Sequence, residues 1–295
     1  MASVELQAVI DQLRAHPIDP NAPLEVLRAA FPAAPAPEGT TITLSDAGGI
    51  PAEWVVADAA APDRRLLYLH GGGYVICSPA THRDLAGRIS QAAGVSVLVL
   101  DYRLAPEHPY PAAVDDATAA LRWMHDHGPT GPAPARATFV AGDSAGGGLT
   151  LATLLATRDA GGRMPNAAVT ISAWTDLAAT GASLRTRADV DPMVTAALLS
   201  RLVKEYMQGG DPQQPLASPL YADLRELPPL LMQVGDAEVL LDDTTRVADK
   251  AAAAGVAVTV EVYPEMMHIF QLFAPVLPEG QQAIDRIGAF LKQMT

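Results

Sequence analysis

The stretch that decides the fold runs from residue 137 to residue 149 and reads Ala-Thr-Phe-Val-Ala-Gly-Asp-Ser-Ala-Gly-Gly-Gly-Leu. Its first five residues are a short β-prone apolar run, and the residues from Leu149 to Thr157 have the pattern of a helix. Between them, residues 142–146 match G-x-S-x-G in the strand-to-helix setting that this motif requires. The sequence therefore predicts a sharp turn with Ser144 at its tip.

Ser144 is the candidate nucleophile of the chain. A strand that reverses into a helix within a few residues strains its central residue, and Gly142 and Gly146 let the two arms approach because they lack Cβ atoms. The backbone N–H of Ala145, at the start of the helix, points the same way as the serine hydroxyl and can stabilise an oxyanion. The alternative is a turn of small residues that only starts a helix.

Length and composition are those of one large globular domain. The chain has 295 residues, 49% of them hydrophobic, which is enough for a large core without a division in two, so residues 1–295 are predicted to form a single domain. Twenty Lys and Arg residues stand against 33 Asp and Glu residues, a net charge of −13. This acidic balance, with no basic cluster, argues against binding to nucleic acid or to anionic membranes.

The N-terminal residues and the cysteine content bear on the cellular compartment. Residues 1–7 lack the basic and apolar regions of a secretory signal, and no apolar stretch is long enough to span a bilayer. These features predict a cytoplasmic protein without stable membrane insertion. Cys77 is the only cysteine, so an internal disulfide cannot form, and we interpret it as a partly buried hydrophobic residue rather than a reactive thiol.

The hydrophobic pattern predicts a parallel sheet with an antiparallel leading edge, because buried strands alternate with helices along most of the chain. Strands are predicted at 42–44, 52–56, 65–69, 95–100, 137–141, 167–173, 230–234 and 256–263. Helices are predicted near 4–15, 23–30, 82–93, 112–127, 149–157, 194–207 and 283–292. Two segments outside this alternation, about 1–38 and about 180–225, are predicted to form a helical cap over the carboxyl edge of the sheet.

Three consecutive glycines, residues 71–73, follow a predicted strand. Such a loop suits backbone N–H groups that must face a developing negative charge, and we assign the donors to Gly72 and Gly73, with Gly71 supplying the tight turn. A phosphate-binding loop and a purely structural turn are the alternatives. The serine turn farther along the chain favours the oxyanion interpretation.

A serine nucleophile needs a base and an acid that orients the base, and in this architecture the order along the chain is serine, acid, histidine. His268 comes after the last predicted strand and is the only histidine in the second half of the chain. Four acidic residues follow the preceding strand, but Asp242 and Asp243 belong to the first turn of a helix, where capping and the helix dipole favour carboxylates. The residues alone leave Glu238 and Asp236 open.

Four motifs of the chain occur in a recognisable order. They are His70-Gly-Gly-Gly-Tyr74, Asp101-Tyr-Arg-Leu-Ala-Pro-Glu-His-Pro-Tyr-Pro111, Gly142-Asp-Ser-Ala-Gly-Gly147 and Trp174-Thr-Asp-Leu177. Together they resemble the bacterial hormone-sensitive-lipase-like (family IV) carboxylesterases, over about residues 40–295. The resemblance implies an α/β-hydrolase fold, with a mostly parallel eight-stranded sheet flanked by helices and a helical cap.

The resemblance also implies roles for individual residues. The family's acid is usually the aspartate that opens an Asp-Pro-Leu-x-Asp segment, and aligning that segment with Glu238-Val-Leu-Leu-Asp242 puts Glu238 in the acid's place. The family's His-Gly-Phe becomes His268-Ile269-Phe270, which is expected to narrow the space behind the histidine. Arg103 and Glu107 are expected to make structural hydrogen bonds near the acid and histidine loops.

Two other groups of polar residues have competing interpretations. Asp143, beside the nucleophile, either tunes the charge of the site or hydrogen-bonds to nearby backbone. His125 and His127 could suggest a metal pair, but they end a predicted helix and lack a third ligand nearby, which favours a solvated helix end. We predict neither a metal nor another cofactor.

The expected activity is hydrolysis of short- to medium-chain carboxylic esters through an acyl-enzyme, as the resemblance implies. The residues assigned to it are Ser144, Glu238 and His268 for catalysis and Gly72, Gly73 and Ala145 for the oxyanion hole. The alternatives are a lactone hydrolase acting on cyclic, for example terpenoid, esters, and a non-catalytic protein that binds a small ligand with the same fold. The resemblance also leads us to expect a homodimer through the last strand and helix.

Overall fold

The computed structural model of the protein describes residues 3–294. Residues 1 and 2, which begin the predicted cap segment 1–38, and residue 295 lie outside the described residues. No helix within the described range is both long enough and apolar enough to cross a bilayer.

A large sheet forms the centre of the fold. In chain order, the strands are β1 (Thr40–Asp46), β2 (Pro51–Ala57), β3 (Ala61–Leu69), β4 (Val95–Leu100), β5 (His127–Gly128), β6 (Gly131–Pro132), β7 (Ala137–Asp143), β8 (Ala167–Ile171), β9 (Leu230–Gly235) and β10 (Val258–Tyr263). Within residues 3–294, eight of them form one sheet in the order β1-β2-β4-β3-β7-β8-β9-β10. The two-residue strands β5 and β6 pair as a separate hairpin.

The strand directions follow the predicted pattern. β2 runs antiparallel to both of its neighbours, β1 and β4. The other neighbouring pairs of the large sheet, from β4–β3 across to β9–β10, are parallel. The prediction of a mostly parallel eight-stranded sheet with an antiparallel leading edge is therefore confirmed for the described residues. Because parallel strands end at the same edge, the loops after β3, β7, β8, β9 and β10 come together there.

Helices cover both faces of this sheet. They are α1 (Val4–Ala15), α2 (Leu24–Ala29), α3 (Arg83–Ala93), α4 (Ala112–Met124), α5 (Ala145–Asp159), α6 (Ser183–Thr186), α7 (Ala196–Met207), α8 (Leu241–Ala253) and α9 (Pro278–Gln293). Short 3₁₀ helices lie at Pro79–His82, Pro219–Tyr221 and Phe270–Phe273. The predicted helix 112–127 ends earlier, at Met124, because His127 and Gly128 pair with the strand β6.

The alternation of side chains along the central strands explains why both faces are covered. Leu66 and Tyr68 of β3 pack into the core beneath α3 and α9, whereas Leu67 and Leu69 pack into the core beneath α4 and α5. All four side chains are buried. A strand that is apolar on both faces can be stable only between two layers of helices.

The N-terminal helices and α7 lie outside the alternating strand and helix order. Leu6 and Val9 of α1 pack with Met267 and Phe270, which belong to the chain after β10. α7 begins after Thr195, whose hydroxyl accepts a hydrogen bond from the Leu198 N–H at 3.2 Å. α1 therefore lies close to the chain after β10, and α7 lies close to the chain after β8, because Leu199 and Leu202 share a core cluster with Trp174.

Arg103 and Glu107 do not have the predicted partners. Arg103 donates to the carboxylate of Asp116 on α4, with Nη2 and Oδ1 2.7 Å apart. Glu107 accepts two hydrogen bonds from Arg28 on α2, each at 2.8 Å. Both residues make structural hydrogen bonds, as predicted, but the predicted location near the acid and histidine loops was wrong. Arg103 links its loop to α4, and Glu107 links the N-terminal segment to the same loop.

Candidate active site

Ser144 lies at the tip of the turn between β7 and α5. It adopts φ 52° and ψ −120°, a conformation that L-residues rarely adopt. Its N–H donates to the carbonyl of Ile171 at 2.8 Å, and its carbonyl accepts from the Trp174 N–H at 2.9 Å. A Cβ on Gly146 would overlap the carbonyl of Leu69. The turn is therefore fixed by backbone contacts that leave no room for a side chain at that glycine.

His268 and Glu238 complete a row of hydrogen bonds with Ser144. His268 Nε2 lies 3.0 Å from Ser144 Oγ, and His268 Nδ1 lies 2.9 Å from Glu238 Oε2. Glu238 follows β9 and His268 follows β10, so both reach the same edge as the serine. When Glu238 is ionised, Nδ1 carries the proton and donates to it, which leaves Nε2 to accept from the serine hydroxyl.

The charge of Glu238 controls the basicity of His268. Burial by itself would lower the pKa of His268, but the hydrogen bond to Glu238 and its negative charge outweigh burial and raise this pKa above its ordinary value. The carboxylate thus stabilises the imidazolium that forms when the histidine takes a proton. Both side chains are almost fully buried, so water screens their interaction little.

Of the two acids left open by the sequence, the structure brings Glu238 to the histidine. Asp236 instead accepts a hydrogen bond from the Glu265 N–H at 2.7 Å, and no described contact joins it to His268. Asp242 accepts from the Ser183 N–H at 3.0 Å. The carboxylate of Glu238 also accepts a hydrogen bond from the N–H of Gly235, the last residue of β9, at 2.6 Å.

Ser172 links the acid loop to the histidine loop. Its hydroxyl donates to Glu238 Oε1 at 2.7 Å and accepts from the Ile269 N–H at 3.0 Å. Asp191, close to the start of α7, accepts from the Val239 N–H at 2.9 Å and so fixes the residue after the acid. Ser172 thus holds one carboxylate oxygen of Glu238, and the other oxygen binds His268 Nδ1.

The glycine loop lines the same cavity as the serine. Gly72 adopts φ 106° and Gly73 φ 61°, and a Cβ on Gly72 would overlap the Ile76 carbonyl. Among the described residues, the N–H groups of Gly72 and Gly73 have no hydrogen-bond acceptor. Ala145 is the first residue of α5, so its N–H has no intrahelical partner either. Unpaired N–H groups thus belong to two residues that line the cavity together with Ser144 and to the residue that follows Ser144 in the chain.

Asp143 holds the glycine loop in place. Its buried carboxylate accepts from Tyr68 Oη at 2.8 Å and from the Gly71 N–H at 3.1 Å, and His82 Nε2 lies 3.3 Å away. Burial would raise the pKa of Asp143, but the interactions with His82 and Tyr68 outweigh it and lower the pKa, so the group is ionised. Both predicted roles of Asp143 therefore apply. It hydrogen-bonds to backbone at Gly71, and its negative charge also raises the pKa of His268.

The cavity above these groups is largely apolar and has a volume of about 390 Å³. Side chains from the N-terminal segment and from the region around α7 line its upper part, namely Leu13, Ile18, Phe31, Met193, Leu198 and Leu202. Ile269, with φ 46°, and Cys77 also line it. Burial raises the pKa of Cys77 to about 12, so its thiol stays protonated, as the hydrophobic interpretation predicted.

His125 and His127 have structural partners. His125 Nε2 lies 2.9 Å from the carbonyl of Arg163, and the ring of His127 stacks on Trp123 with centroids 4.6 Å apart. No group of three or more His, Cys, Asp or Glu side chains within residues 3–294 is arranged to hold a metal ion.

Sequence reasoning missed Ser172, Tyr68 and His82. Ser172 comes directly after β8 and Tyr68 is near the end of β3, so the signal that was available is their position at the carboxyl edge of a parallel sheet. His82 gave no comparable signal, because it ends the short helix before α3 and reaches Asp143 only through tertiary folding.

Three comparisons relate the chain to known proteins. Residues 66–272 match the family model described as the α/β hydrolase fold. An acetyl-hydrolase of Streptomyces hygroscopicus is 46% identical over 302 residues, which cover 100% of this chain and 98% of that protein. A crystal structure of an esterase from the bacterial hormone-sensitive lipase (HSL) family is 46% identical, with a TM-score of 0.93 over 100% of this chain and 99% of that one. EstE5, in a crystal soaked with ethyl alcohol, is 44% identical, with a TM-score of 0.95 over 99% of both chains.

Proposed function

Since the chain belongs to the bacterial hormone-sensitive-lipase-like (family IV) esterases of the α/β-hydrolase fold, we propose that it hydrolyses short- to medium-chain carboxylic esters at Ser144. It is a carboxylic ester hydrolase of the serine carboxylesterase class. The observation that carries the residue assignment is the position of His268, 3.0 Å from Ser144 Oγ and 2.9 Å from Glu238 Oε2.

The first half of the reaction transfers the acyl group to the serine. As Ser144 Oγ attacks the ester carbonyl carbon, its proton moves to His268 Nε2, and the electron pair of the C=O bond moves onto the carbonyl oxygen. Glu238 stabilises the imidazolium. When the C=O bond re-forms, the alkoxide leaves and takes the proton from Nε2, so that the products are an alcohol and an acyl-serine.

The unpaired N–H groups of Gly72, Gly73 and Ala145 are proposed as the oxyanion hole. They are fixed before substrate binds, Gly72 and Gly73 in a loop that Asp143 holds at Gly71 and Ala145 at the start of a helix. Donors fixed in this way stabilise the negative charge that develops in the transition state without having to reorganise.

The second half of the reaction releases the acid. Water donates a proton to His268 Nε2 as its oxygen attacks the acyl carbon, and the same N–H groups hold the second oxyanion. When the C=O bond re-forms, the bond to Ser144 Oγ breaks and the serine recovers the proton from the histidine. The cycle consumes one water for each ester and needs no other reactant.

The apolar cavity of about 390 Å³ supports esters with short and medium acyl chains as substrates. We propose that the described parts of segments 1–38 and 180–225 act as the cap of this cavity, because they contribute Leu13, Phe31, Met193 and Leu202 to its lining. The lactone hydrolase and the non-catalytic alternatives are not favoured, since the relatives compared above are named as an acetyl-hydrolase and esterases.

A homodimer through the last strand and helix, β10 and α9, remains part of the proposal. β10 is the edge strand of the large sheet, and Val260 and Val262 on it are exposed. An exposed edge with apolar side chains is a surface on which a second copy can pair. Sedimentation equilibrium of the native chain and of Val260→Lys tests this. We expect the native chain to sediment as a dimer and Val260→Lys as a monomer.

Hydrolysis of p-nitrophenyl esters from acetate to dodecanoate tests the proposed activity. Ser144→Ala should lower kcat/KM by at least ~10³, because the variant cannot form the acyl-enzyme. Ser45→Ala, on β1, serves as the matched control and should keep the native rate. The assignment of Ser144 fails if its alanine variant keeps more than about a tenth of the native activity.

A further inference from the structure

Trp174 lies beside the nucleophile and forms one wall of the catalytic cavity. Its backbone N–H donates to the Ser144 carbonyl at 2.9 Å, which fixes the residue after β8 next to the serine. Its side chain is only 2% exposed, and its ring lies 6.4 Å from that of Tyr74, centroid to centroid. The indole is therefore held firmly in place.

A second cavity, which we call the side cleft, lies on the other side of this indole. It has a volume of about 160 Å³. Its lining, apart from residues shared with the catalytic cavity, consists of Asp176, Leu177, Ala179, Leu184, Ala196, Ser200, Val203, Leu240 and Asp243. Of the described residues, Trp174 and Leu199 line both cavities, and the indole is the larger of the two side chains. Trp174 and Leu199 thus form the partition between the cavities.

The side cleft is suited to an uncharged chain. Leu177, Leu184 and Leu240 make its wall apolar, while Ser200 is exposed, so the cleft opens towards the protein surface. Its two acidic residues do not offer a free charge to a ligand at neutral pH, for different reasons.

Asp243, at the buried end of the side cleft, accepts hydrogen bonds from the backbone N–H groups of Thr175 and Asp176, each at 2.8 Å. Burial raises the pKa of Asp243 to about 8, which keeps the carboxyl neutral at pH 7. Asp176 is ionised, but its carboxylate is bound by Thr180, Tyr221 and Arg246. An alkyl chain would therefore not strip water from an unpaired carboxylate.

We propose that Trp174, together with Leu199, ends the acyl-binding part of the catalytic cavity and so limits the acyl chain length of the substrate, and that the side cleft is the extension that this partition closes off. The proposal rests on the proposed esterase function. The ester oxygen of the leaving alcohol must face His268 Nε2 to receive its proton. The acyl chain then extends past Ser144 towards Trp174, whose N–H is hydrogen-bonded to the Ser144 carbonyl.

The test compares kcat/KM for p-nitrophenyl decanoate with that for p-nitrophenyl acetate. Each methylene that becomes buried favours binding by about fourfold. In Trp174→Ala the two cavities merge, and the decanoate-to-acetate ratio should rise by at least ~10-fold. Trp174→Leu should raise the same ratio by a smaller factor. If the alanine variant does not fold, the leucine variant still tests the proposal. Trp174→Phe, which retains a wall, should stay within about threefold of the native ratio.

Two further variants distinguish removal of the partition from a simple increase in the volume of the catalytic cavity. Leu202→Ala enlarges the catalytic cavity without touching the side cleft, so its ratio should change by less than about threefold. Ser200→Phe, at the exposed mouth of the side cleft, should cancel the gain when it is combined with Trp174→Ala. A series of alkyl acetates that varies the alcohol instead should show no shift in any of these variants.

The outcomes are distinct. The proposal is overturned if Leu202→Ala raises the ratio as much as Trp174→Ala, if the gain survives in Trp174→Ala/Ser200→Phe, or if the shift appears in the alcohol series instead of the acyl series. An unchanged ratio in an active, folded Trp174→Ala or Trp174→Leu variant overturns it as well. Native enzyme that hydrolyses none of the esters would refute the proposed function itself, which is a separate result.

Discussion

The floor and the roof of the catalytic cavity are built in different ways. The floor consists of Gly72, Gly73, Ser144 and His268, with Glu238 hydrogen-bonded to the histidine, and the roof of Leu13, Phe31, Met193, Leu198 and Leu202. In the floor, directional hydrogen bonds fix each polar side chain. A positive φ or the lack of room for a Cβ requires glycine at positions 72 and 73. In the roof, apolar side chains pack without directional bonds.

Because of this difference, the floor and the roof should tolerate substitutions to different degrees. Catalysis depends on distances that must hold to within about 0.5 Å, so a change in the floor should lower kcat. Burial of apolar surface is not directional, so a change in the roof should alter KM while the chemistry continues. Four substitutions, from the largest expected effect to the smallest, test whether the two regions are as independent as this comparison implies.

Glu238→Gln should lower kcat by about 10²- to 10⁴-fold, because an amide neither fixes the tautomer of His268 nor stabilises its charge. It should also move the acidic limb of the pH–rate profile. The base must be neutral, so activity falls as the pH drops through the pKa of His268, which Glu238 holds above its ordinary value. Removing that charge lowers the pKa and shifts the limb to lower pH, measurable between about pH 5 and 9.

Asp236→Asn is the matched control for this change and should keep both the native rate and the native pH profile. A large loss in Asp236→Asn, with Glu238→Gln close to native, would reverse the acid assignment. Equal losses in both variants would mean that neither residue acts as the specific orienting acid.

Asp143→Ala should lower kcat by about 10- to 10²-fold, with a smaller change in KM, because the Gly71 N–H loses the acceptor that holds the glycine loop with its proposed oxyanion donors. Asp143→Asn keeps an oxygen acceptor and should lose less. Steady-state kinetics with p-nitrophenyl butyrate measures both. Asp115→Asn, at an exposed site on α4, is the control. If Asp143→Ala has the same kcat as this control, the glycine loop keeps its conformation without Asp143.

Phe31→Ala should raise KM for hexanoate esters by about 3- to 10-fold and leave kcat within a factor of about two, since it removes apolar surface from the roof only. Val4→Ala, on the exposed side of α1, should change neither constant. Should kcat fall more than KM rises, the roof would be shaping the catalytic geometry, and the two regions would not be independent.

Arg28→Ala should have the smallest effect. Arg28 donates to the carbonyls of Val75 and Ala105 and to Glu107, but it is partly exposed, so its loss should change acetate hydrolysis by less than about twofold. Chymotryptic cleavage within the first 40 residues, followed by mass spectrometry, should become several times faster. Arg225→Ala, which breaks an exposed pair with Asp223, is the control, and equal cleavage rates would count against this anchor.

The parts of the site that the sequence predicted depend on local signals. The turn around Ser144 needs glycines at fixed spacings, and His268 and Glu238 follow the last two strands, which are visible as apolar runs. Such features are recognisable because a strand-to-helix reversal or a strand end restricts the residue types nearby. The strand directions could be predicted because buried strands alternate with helices along the chain.

The features that the sequence did not predict depend on contacts between distant residues. Arg103 and Glu107 were assigned to the wrong neighbours, because nothing near them in the chain specifies Asp116 or Arg28. Ser172 became identifiable only when the loops after β8, β9 and β10 were placed side by side. The side cleft, likewise, exists only through the packing of α7 against the segment after β8.

The backbone of Ser144 has a consequence for how such a protein changes over generations. A serine at φ 52° and ψ −120° holds on the order of 1–3 kcal/mol of strain, which glycine would not experience. Selection for stability alone would therefore favour Ser144→Gly, and only a continuing demand for hydrolysis opposes that drift. A lineage released from this demand should therefore replace Ser144 early and gain stability as it does so.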